Sequence, residues 1–171
     1  MPSDSIPTNQ WNNITIYVKS GTSYQSLDGT VTIWLNDNVI FNHVDIPTSS
    51  YSGEPFVSWG IGNYAGSWAK YNQYMLFKDV SVTSEYPSEE GGEGFNKFED
   101  GFETNDFSKW NETIEVNGIA SITNSLSYQG DYCANFSTTQ ASSGYAQANV
   151  DFFGQKVIYA RTWMQTPELP D

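Results

Sequence analysis

Apolar and polar residues alternate along most of the chain with the two-residue period of β-strands. In residues 11–18, for example, Ile14, Ile16 and Val18 fall on one face. Helical periodicity is absent almost everywhere. The second half restarts at residues 95–102, and the remaining strands are predicted at residues 30–35, 39–41, 56–61, 74–83, 113–116, 120–123, 132–137, 144–152 and 157–165. The pattern therefore predicts an all-β fold.

Two local signals refine these strands. Asn36, Asp37 and Asn38 stand between two strand patterns, and Asn and Asp tolerate the positive φ angles of tight hairpin turns. In residues 74–83 the apolar positions change parity after Phe77, which predicts a β-bulge near Lys78 or Asp79.

The alternation breaks in the middle of the chain, where residues 88–94 read SEEGGEG. Such a low-complexity segment is typical of a flexible connector. We therefore divide the chain into residues 1–84, a connector at 85–95 and residues 96–171. At 171 residues, one domain that contains both halves is the natural prediction.

Several motifs resemble a known superfamily, the concanavalin A-like (laminin G-like) jelly rolls and the related carbohydrate-binding modules. The second half carries what looks like the opening of such a domain: FEDGFE at residues 98–103, FSKW at 107–110 and SYQGDY at 127–132. The first half resembles the ending, with GTVTIWLND at residues 29–37 and YMLFKDVSV at 74–82. The resemblance covers most of the chain and implies a two-sheet antiparallel jelly-roll sandwich.

The order of these motifs is inverted, since the ending precedes the opening. The chain is then either a circularly permuted domain, joined through residues 85–95, or a window that straddles two tandem repeats. By comparison with the superfamily, the middle strands are shortened or missing, which predicts an open sheet edge. An open edge invites strand addition from a neighbouring chain.

Charge narrows the possible partners. The chain has 20 acidic and 7 basic residues and a formal net charge of −13. Such a polyanion repels nucleic acid and anionic lipid, so we expect neither as a partner. Cations and neutral sugars are better suited. No apolar run is long enough to span a membrane, and membrane insertion is not expected.

Aromatic residues provide the candidate binding chemistry. They crowd one glycine-rich stretch together with amide side chains, and aromatic faces stack on pyranose rings while amides bond to hydroxyls. The alternative is that Trp59 and Tyr74 belong to the core and the others cover a loop. The predicted ligand-binding residues are Trp59, Asn63, Tyr64, Trp68, Tyr71 and Asn72.

The superfamily resemblance also implies a structural Ca²⁺ where the first and last strands meet. Carried over by motif, Glu99 is the opening carboxylate and Asp79 the closing one. Calcium prefers several oxygen ligands. Lys78 stands where the family commonly has a first aspartate, and the alternative interpretation is a solvated acidic turn.

Catalysis is not expected. Glu99, Asp100 and Glu103 do not have the strand-borne spacing of jelly-roll glucanases, which use paired carboxylates. The lone histidine, His43, has no matched nucleophile. The single cysteine, Cys133, cannot form an internal disulfide and is interpreted as a buried apolar residue.

Three Asn-X-Ser/Thr sequons, at Asn13, Asn111 and Asn135, and the polar composition favour an extracellular or cell-surface protein. The sequence thus predicts a non-catalytic carbohydrate-binding or adhesion module. The alternative is a structural subunit of a surface layer, sheath or filament that assembles with copies of itself by strand complementation.

Overall fold

A computed structural model of the chain describes residues 6–48, 56–66, 71–84, 97–139 and 143–167; of residues 56, 57 and 152–154 it describes the backbone only. These residues form two antiparallel sheets with no helix between them, as expected for a β-sandwich. The all-β prediction is therefore confirmed. The described part of the chain accordingly holds no helix that could cross a membrane.

The described residues form eleven strands, each of which overlaps a predicted one, but Asn38–Ile46 and Phe56–Ala65 extend beyond the predicted residues 39–41 and 56–61. The strands are β1 (Trp11–Lys19), β2 (Gly29–Leu35), β3 (Asn38–Ile46), β4 (Phe56–Ala65), β5 (Gln73–Thr83), β6 (Lys97–Asp100), β7 (Glu112–Val116), β8 (Gly118–Thr123), β9 (Cys133–Thr138), β10 (Gly144–Gln155) and β11 (Val157–Gln165).

The two sheets differ greatly in width. The large sheet has the order β3-β2-β1-β11-β5-β9-β8, with β6 also paired to β5. The small sheet has the order β4-β10-β7. The small sheet contacts β5, β8 and β9, so it covers one end of the large sheet, while β3 and β2 form the other end.

Both sheets combine strands from the two halves of the chain. In the large sheet β1 pairs with β11, and β5 pairs with β9 and β6. In the small sheet β4 pairs with β10. The described residues on both sides of the proposed connector therefore share one interior, while the connector at residues 85–95 lies outside the described residues.

Small residues on β10 let the two sheets approach closely. Ala146, Ala148 and Val150 point inward and are buried. They belong to the same core cluster as Phe77 and Phe136, whose rings meet edge to face at 5.7 Å. Apolar burial of this kind is the main stabilising contribution to a sandwich.

The predicted bulge is present in β5. Opposite β11 the register shifts between Arg161 and Trp163, and Asp79 has a positive φ of 50°. The extra residue lets Phe77 and Val80 both face the core, where alternation alone would turn one of them outward. The predicted hairpin turn is also confirmed, since Asn36 and Asp37 have φ angles of 49° and 65°.

Lys78 follows the inward-facing Phe77 and therefore points to the outer face, where its ammonium group is nevertheless buried. Lys78 is 2% exposed, and its Nζ donates to the carbonyl oxygens of Gly101 and Tyr132, each at 2.7 Å. It also forms an ion pair with the Glu103 carboxylate. One side chain therefore joins β5 to the turn after β6 and to the segment before β9.

Replacing Lys78 by methionine should destabilise the fold, because the two carbonyls and the Glu103 carboxylate lose a charged donor. We expect a loss of about 3 kcal/mol in the free energy of unfolding, measured by urea titration. Lys97→Met is the matched control, since Lys97 pairs with Glu99 in solvent and should change stability by less than about 1 kcal/mol. Equal effects of the two variants would contradict this role of Lys78.

Candidate functional site

A groove of about 590 Å³ lies on the outer face of the small sheet, along β4 and β10. On β4 the residues that alternate outward are Gly60, Gly62 and Tyr64, while Ile61 faces the core. Two adjacent outward positions therefore carry no side chain. The groove follows the line of these glycines and ends at Tyr64.

The neighbouring strand β10 provides the side chains of the groove. Its outward residues pair across to β4 as Asn149 with Gly60, Gln147 with Gly62 and Tyr145 with Tyr64. From Gly60 to Tyr64 the strand spans about 13 Å at about 3.3 Å per residue. The groove thus places two amides beside a glycine floor and two tyrosine rings at one end.

The close approach depends most on Gly62. A Cβ atom added there would lie 2.4 Å from the carbonyl oxygen of Ala146 and 2.7 Å from Cβ of Gln147, so the backbone of β10 blocks any side chain. A Cβ atom added at Gly60 would lie 2.3 Å from Oδ1 of Asn149, which is the movable end of a side chain, and 3.1 Å from the carbonyl oxygen of Ala148. A larger residue at Gly60 would therefore displace the Asn149 amide.

The groove is neutral and offers polar groups to a ligand. The side chains of Gln147 and Asn149 are half-buried, and within the described ranges no protein group bonds to either amide. Tyr64 is 69% exposed. No charged side chain lines the groove. The arrangement suits a neutral ligand with hydroxyl groups and an apolar face.

The predicted ligand-binding residues are distributed over several places. Tyr64 and Asn63 both line the groove, whereas Trp59 packs against the core. Asn63 is 4% exposed, and its Nδ2 lies 3.4 Å from Oγ1 of Thr138. Tyr71 and Asn72 are exposed at the start of β5. Trp68 lies outside the described residues.

Sequence reasoning missed Tyr145, Gln147 and Asn149 because they belong to a distant part of the chain. The strand pattern of residues 144–152 already alternates alanines with Tyr145, Gln147 and Asn149. The sequence signal for the groove is on β4, where Gly60, Gly62 and Tyr64 occupy alternate positions.

The two residues predicted to bind calcium lie on neighbouring strands but have different surroundings. Glu99 on β6 is exposed and its carboxylate lies 2.7 Å from Nζ of Lys97. Asp79 sits on the bulge, and burial raises its pKa. No group of three or more His, Cys, Asp or Glu side chains converges among the described residues.

At this strand junction the cation is the Lys78 ammonium, which already occupies a cradle of two carbonyls and a carboxylate. That donor set resembles what Ca²⁺ prefers, but an ammonium group and a metal ion cannot share it. The residues present do not fit a metal at the position of Lys78. Calcium binding by Asp79 and Glu99 beside it stays a prediction.

The asparagines of the three sequons differ in solvent exposure. Asn111 is exposed, and its Oδ1 accepts from the backbone N–H of Asp151. Asn13 is 3% exposed, and Asn135 is half-buried in β9. Glycosylation stays a prediction for all three and is sterically easiest at Asn111.

Cys133 is fully buried, and burial raises the pKa of its thiol to about 11. A protonated, enclosed thiol is a poor nucleophile. These surroundings agree with the interpretation of Cys133 as a small apolar core residue.

Comparison of the chain with protein-family models and with curated proteins finds no match. The superfamily resemblance therefore depends on the sequence motifs alone. The structure explains one of them: Asp100 accepts from the indole N–H of Trp110 at 2.8 Å and from the backbone N–H of Phe102 at 2.9 Å. The motif of residues 98–110 thus has a structural role here.

The ion pair between Lys78 and Glu103 predicts how the free energy of unfolding changes in acid. The hydrogen bond from Lys78 lowers the pKa of Glu103. A carboxylate whose pKa is lower in the folded state stabilises the fold above its unfolded pKa, and this contribution is lost as pH falls through the lowered value. Glu103→Gln should therefore lower the free energy of unfolding at neutral pH. Below about pH 4.5 the free energy of unfolding should then fall less steeply than in the wild type.

The measurement is urea unfolding from pH 7 down to pH 3. Glu99→Gln is the matched control, because Glu99 pairs with Lys97 in solvent. If Glu103→Gln and the wild type lose stability with the same slope below pH 4.5, the proposed contribution of the ion pair is wrong.

Proposed function

We propose that this domain is a non-catalytic carbohydrate-binding module and that the groove on the small sheet binds a neutral glycan. The observation that carries the proposal is the glycine floor of β4, with the amides of Gln147 and Asn149 beside it and Tyr64 at its end. Amide groups donate to and accept from sugar hydroxyls, and a tyrosine ring packs against the C–H face of a pyranose.

The lining of the groove supports binding without catalysis. Glycoside hydrolysis requires two carboxyl groups about 5 to 10 Å apart across the scissile bond. The described residues that line the groove include no aspartate or glutamate, and an uncharged lining suits an uncharged glycan. The acidic residues Glu112, which pairs with Asn149, and Asp151 lie just beyond the lining.

Tyr64→Ala should weaken glycan binding about tenfold, because one stacking surface and its buried area are lost. Affinity electrophoresis in gels containing mixed-linkage β-glucan, xylan, mannan or galactan measures this change. Tyr24→Ala is the matched control, since Tyr24 is 47% exposed in the turn between β1 and β2. The proposal fails if none of the four polysaccharides retards the wild type, or if both variants bind equally.

Self-assembly is a second candidate, supported by the exposed strand β3. Among the described residues it pairs only with β2, at the edge of the large sheet. Val39 and Val44 are each 57% exposed and Phe41 is 41% exposed. Edge strands are usually protected by charge, proline or bulges. β3 has one acidic residue, Asp45, and no proline, and its register against β2 shifts at two points. These features favour β3 as the place where a second copy would add a strand.

Val44→Lys should shift a self-assembling protein to monomer, because an edge lysine must be desolvated when a second strand pairs with it. Sedimentation velocity over a dilution series measures the change, with Leu27→Lys in the exposed β1–β2 turn as control. Repeating the series with EDTA tests the calcium prediction. A wild type that is monomeric at every concentration would end the assembly hypothesis.

A further inference from the structure

The outer face of the large sheet carries the single arginine of the chain, Arg161, between aromatic side chains. On β11 the residues that alternate outward are Tyr159, Arg161 and Trp163, while Ala160 belongs to the core. The two aromatic residues thus lie about 7 Å from Arg161 on either side along the strand. Tyr128 stacks on Trp163 with ring centroids 4.3 Å apart, so one face of Trp163 is already covered.

A further aromatic ring approaches Arg161 from β2. Trp34 pairs with Thr15 on β1, and Thr15 pairs with Arg161 on β11. The three residues therefore form one row across the sheet, with about 10 Å between the backbones of Trp34 and Arg161. The ring of Trp34 leans toward β11, since its centroid lies 6.5 Å from that of Tyr159. Trp34 and Tyr159 are half-buried, so part of each ring is open to solvent.

A buried amide holds the guanidinium of Arg161 in place. Asn13 on β1 is 3% exposed. In the amide orientation that pairs both of its ends, Oδ1 of Asn13 accepts from Nε of Arg161 at 2.9 Å and from Nη2 at 3.3 Å. A guanidinium has five N–H donors, so three remain for a ligand. Arg161 is an exposed residue, so a ligand can reach these donors, and their fixed direction lowers the entropic cost of binding.

Charge defines the chemical class of the ligand. Lys78, Lys97 and Lys109 each form an ion pair with a carboxylate. Arg161 has no acidic partner in the described part of the chain, although the net charge is −13. Glu99 lies two strands away on the same row, but its carboxylate pairs with Lys97. An unpaired guanidinium is complementary to a carboxylate, which it binds through two parallel N–H···O bonds.

We propose that this face binds a uronic acid unit of an acidic glycan, with the sugar carboxylate on Arg161 and the C–H face of the ring against Trp34 and Tyr159. In a uronic acid the carboxylate is attached directly to the pyranose ring, so one sugar unit can contact both the cation and the adjoining aromatic surface. The choice of a sugar as the carrier of the carboxylate rests on the proposed function, but the site uses none of the residues of the groove.

The test is an NMR titration of unglycosylated protein with the methyl glycosides of glucuronic acid and galacturonic acid. The methyl glycosides of glucose and galactose are the matched ligands, because they carry a hydroxymethyl group in place of the carboxylate. Titration at about 0.15 M salt screens the net charge of the chain beyond about 8 Å. With at least one uronide we expect saturable shifts of the Trp34 indole and Arg161 Nε–H signals, with a Kd about tenfold lower than that of its neutral counterpart.

Variants of the arginine separate local contact from net charge. Arg161→Gln should remove the preference for the uronide. Arg161→Lys keeps the charge but lacks the planar pair of donors, so it should retain only part of the preference. Lys156→Gln is the matched control, since it removes the same charge from an exposed residue five positions earlier, and it should keep the preference.

The outcomes separate this inference from the proposed function. Uronide shifts at Trp34 that persist in Tyr64→Ala support the arginine site. Absence of these shifts with both uronides, equal binding of uronide and neutral glycoside, or equal loss of preference in Arg161→Gln and Lys156→Gln overturns it. Binding of oligoglutamate at Arg161 as tightly as the uronide also overturns it, since the ligand would then be an acidic peptide. Failure of the groove proposal is detected independently, as a lack of retardation by the neutral polysaccharides in the electrophoresis experiment.

Discussion

The extra residue at Asp79 in β5 is the constraint on which the rest of the structure depends. β5 pairs with β11, β9 and β6, so every strand that joins it comes from the second half of the chain. Without the bulge, Phe77 and Val80 could not both enter the core. Lys78, between Phe77 and the bulge, points outward under the turn at Gly101, where its ammonium links three segments. The insertion thus returns the chain to the core at Val80 directly after the polar junction outside it.

Local features of this fold could be predicted from the sequence because local chemistry determines them. The alternation of apolar and polar residues located the strands. The Asn36–Asp37 turn was predicted because both side chains tolerate positive φ angles. The change of parity after Phe77 indicated the bulge. The boundaries of β3 were less accurate. The strand continues to Ile46, beyond the predicted residues 39–41, because backbone pairing with β2 extends it through polar residues that carry no alternation signal.

The partners of each strand could not be predicted in the same way, since pairing between distant strands leaves no local pattern. β4 belongs to the small sheet and pairs with β10, about ninety residues away. This pairing decides the candidate site. The aromatic density around residue 59 suggested a binding loop, but alternation along β4 turns Trp59 and Asn63 inward and leaves Tyr64 outward. The amides that complete the groove come from β10.

Charge has different roles at the Lys78 junction and in the groove of the small sheet. At the junction a buried cation is held by carbonyl oxygens and a carboxylate, so its contribution is structural. The residues that line the groove instead carry no charge, although the chain has a net charge of −13. Recognition there would therefore depend on ring faces, amides and hydroxyls, whose interactions are short-ranged and little affected by salt. Selectivity among neutral ligands would then come from the spacing of the Gln147 and Asn149 amides along the sheet.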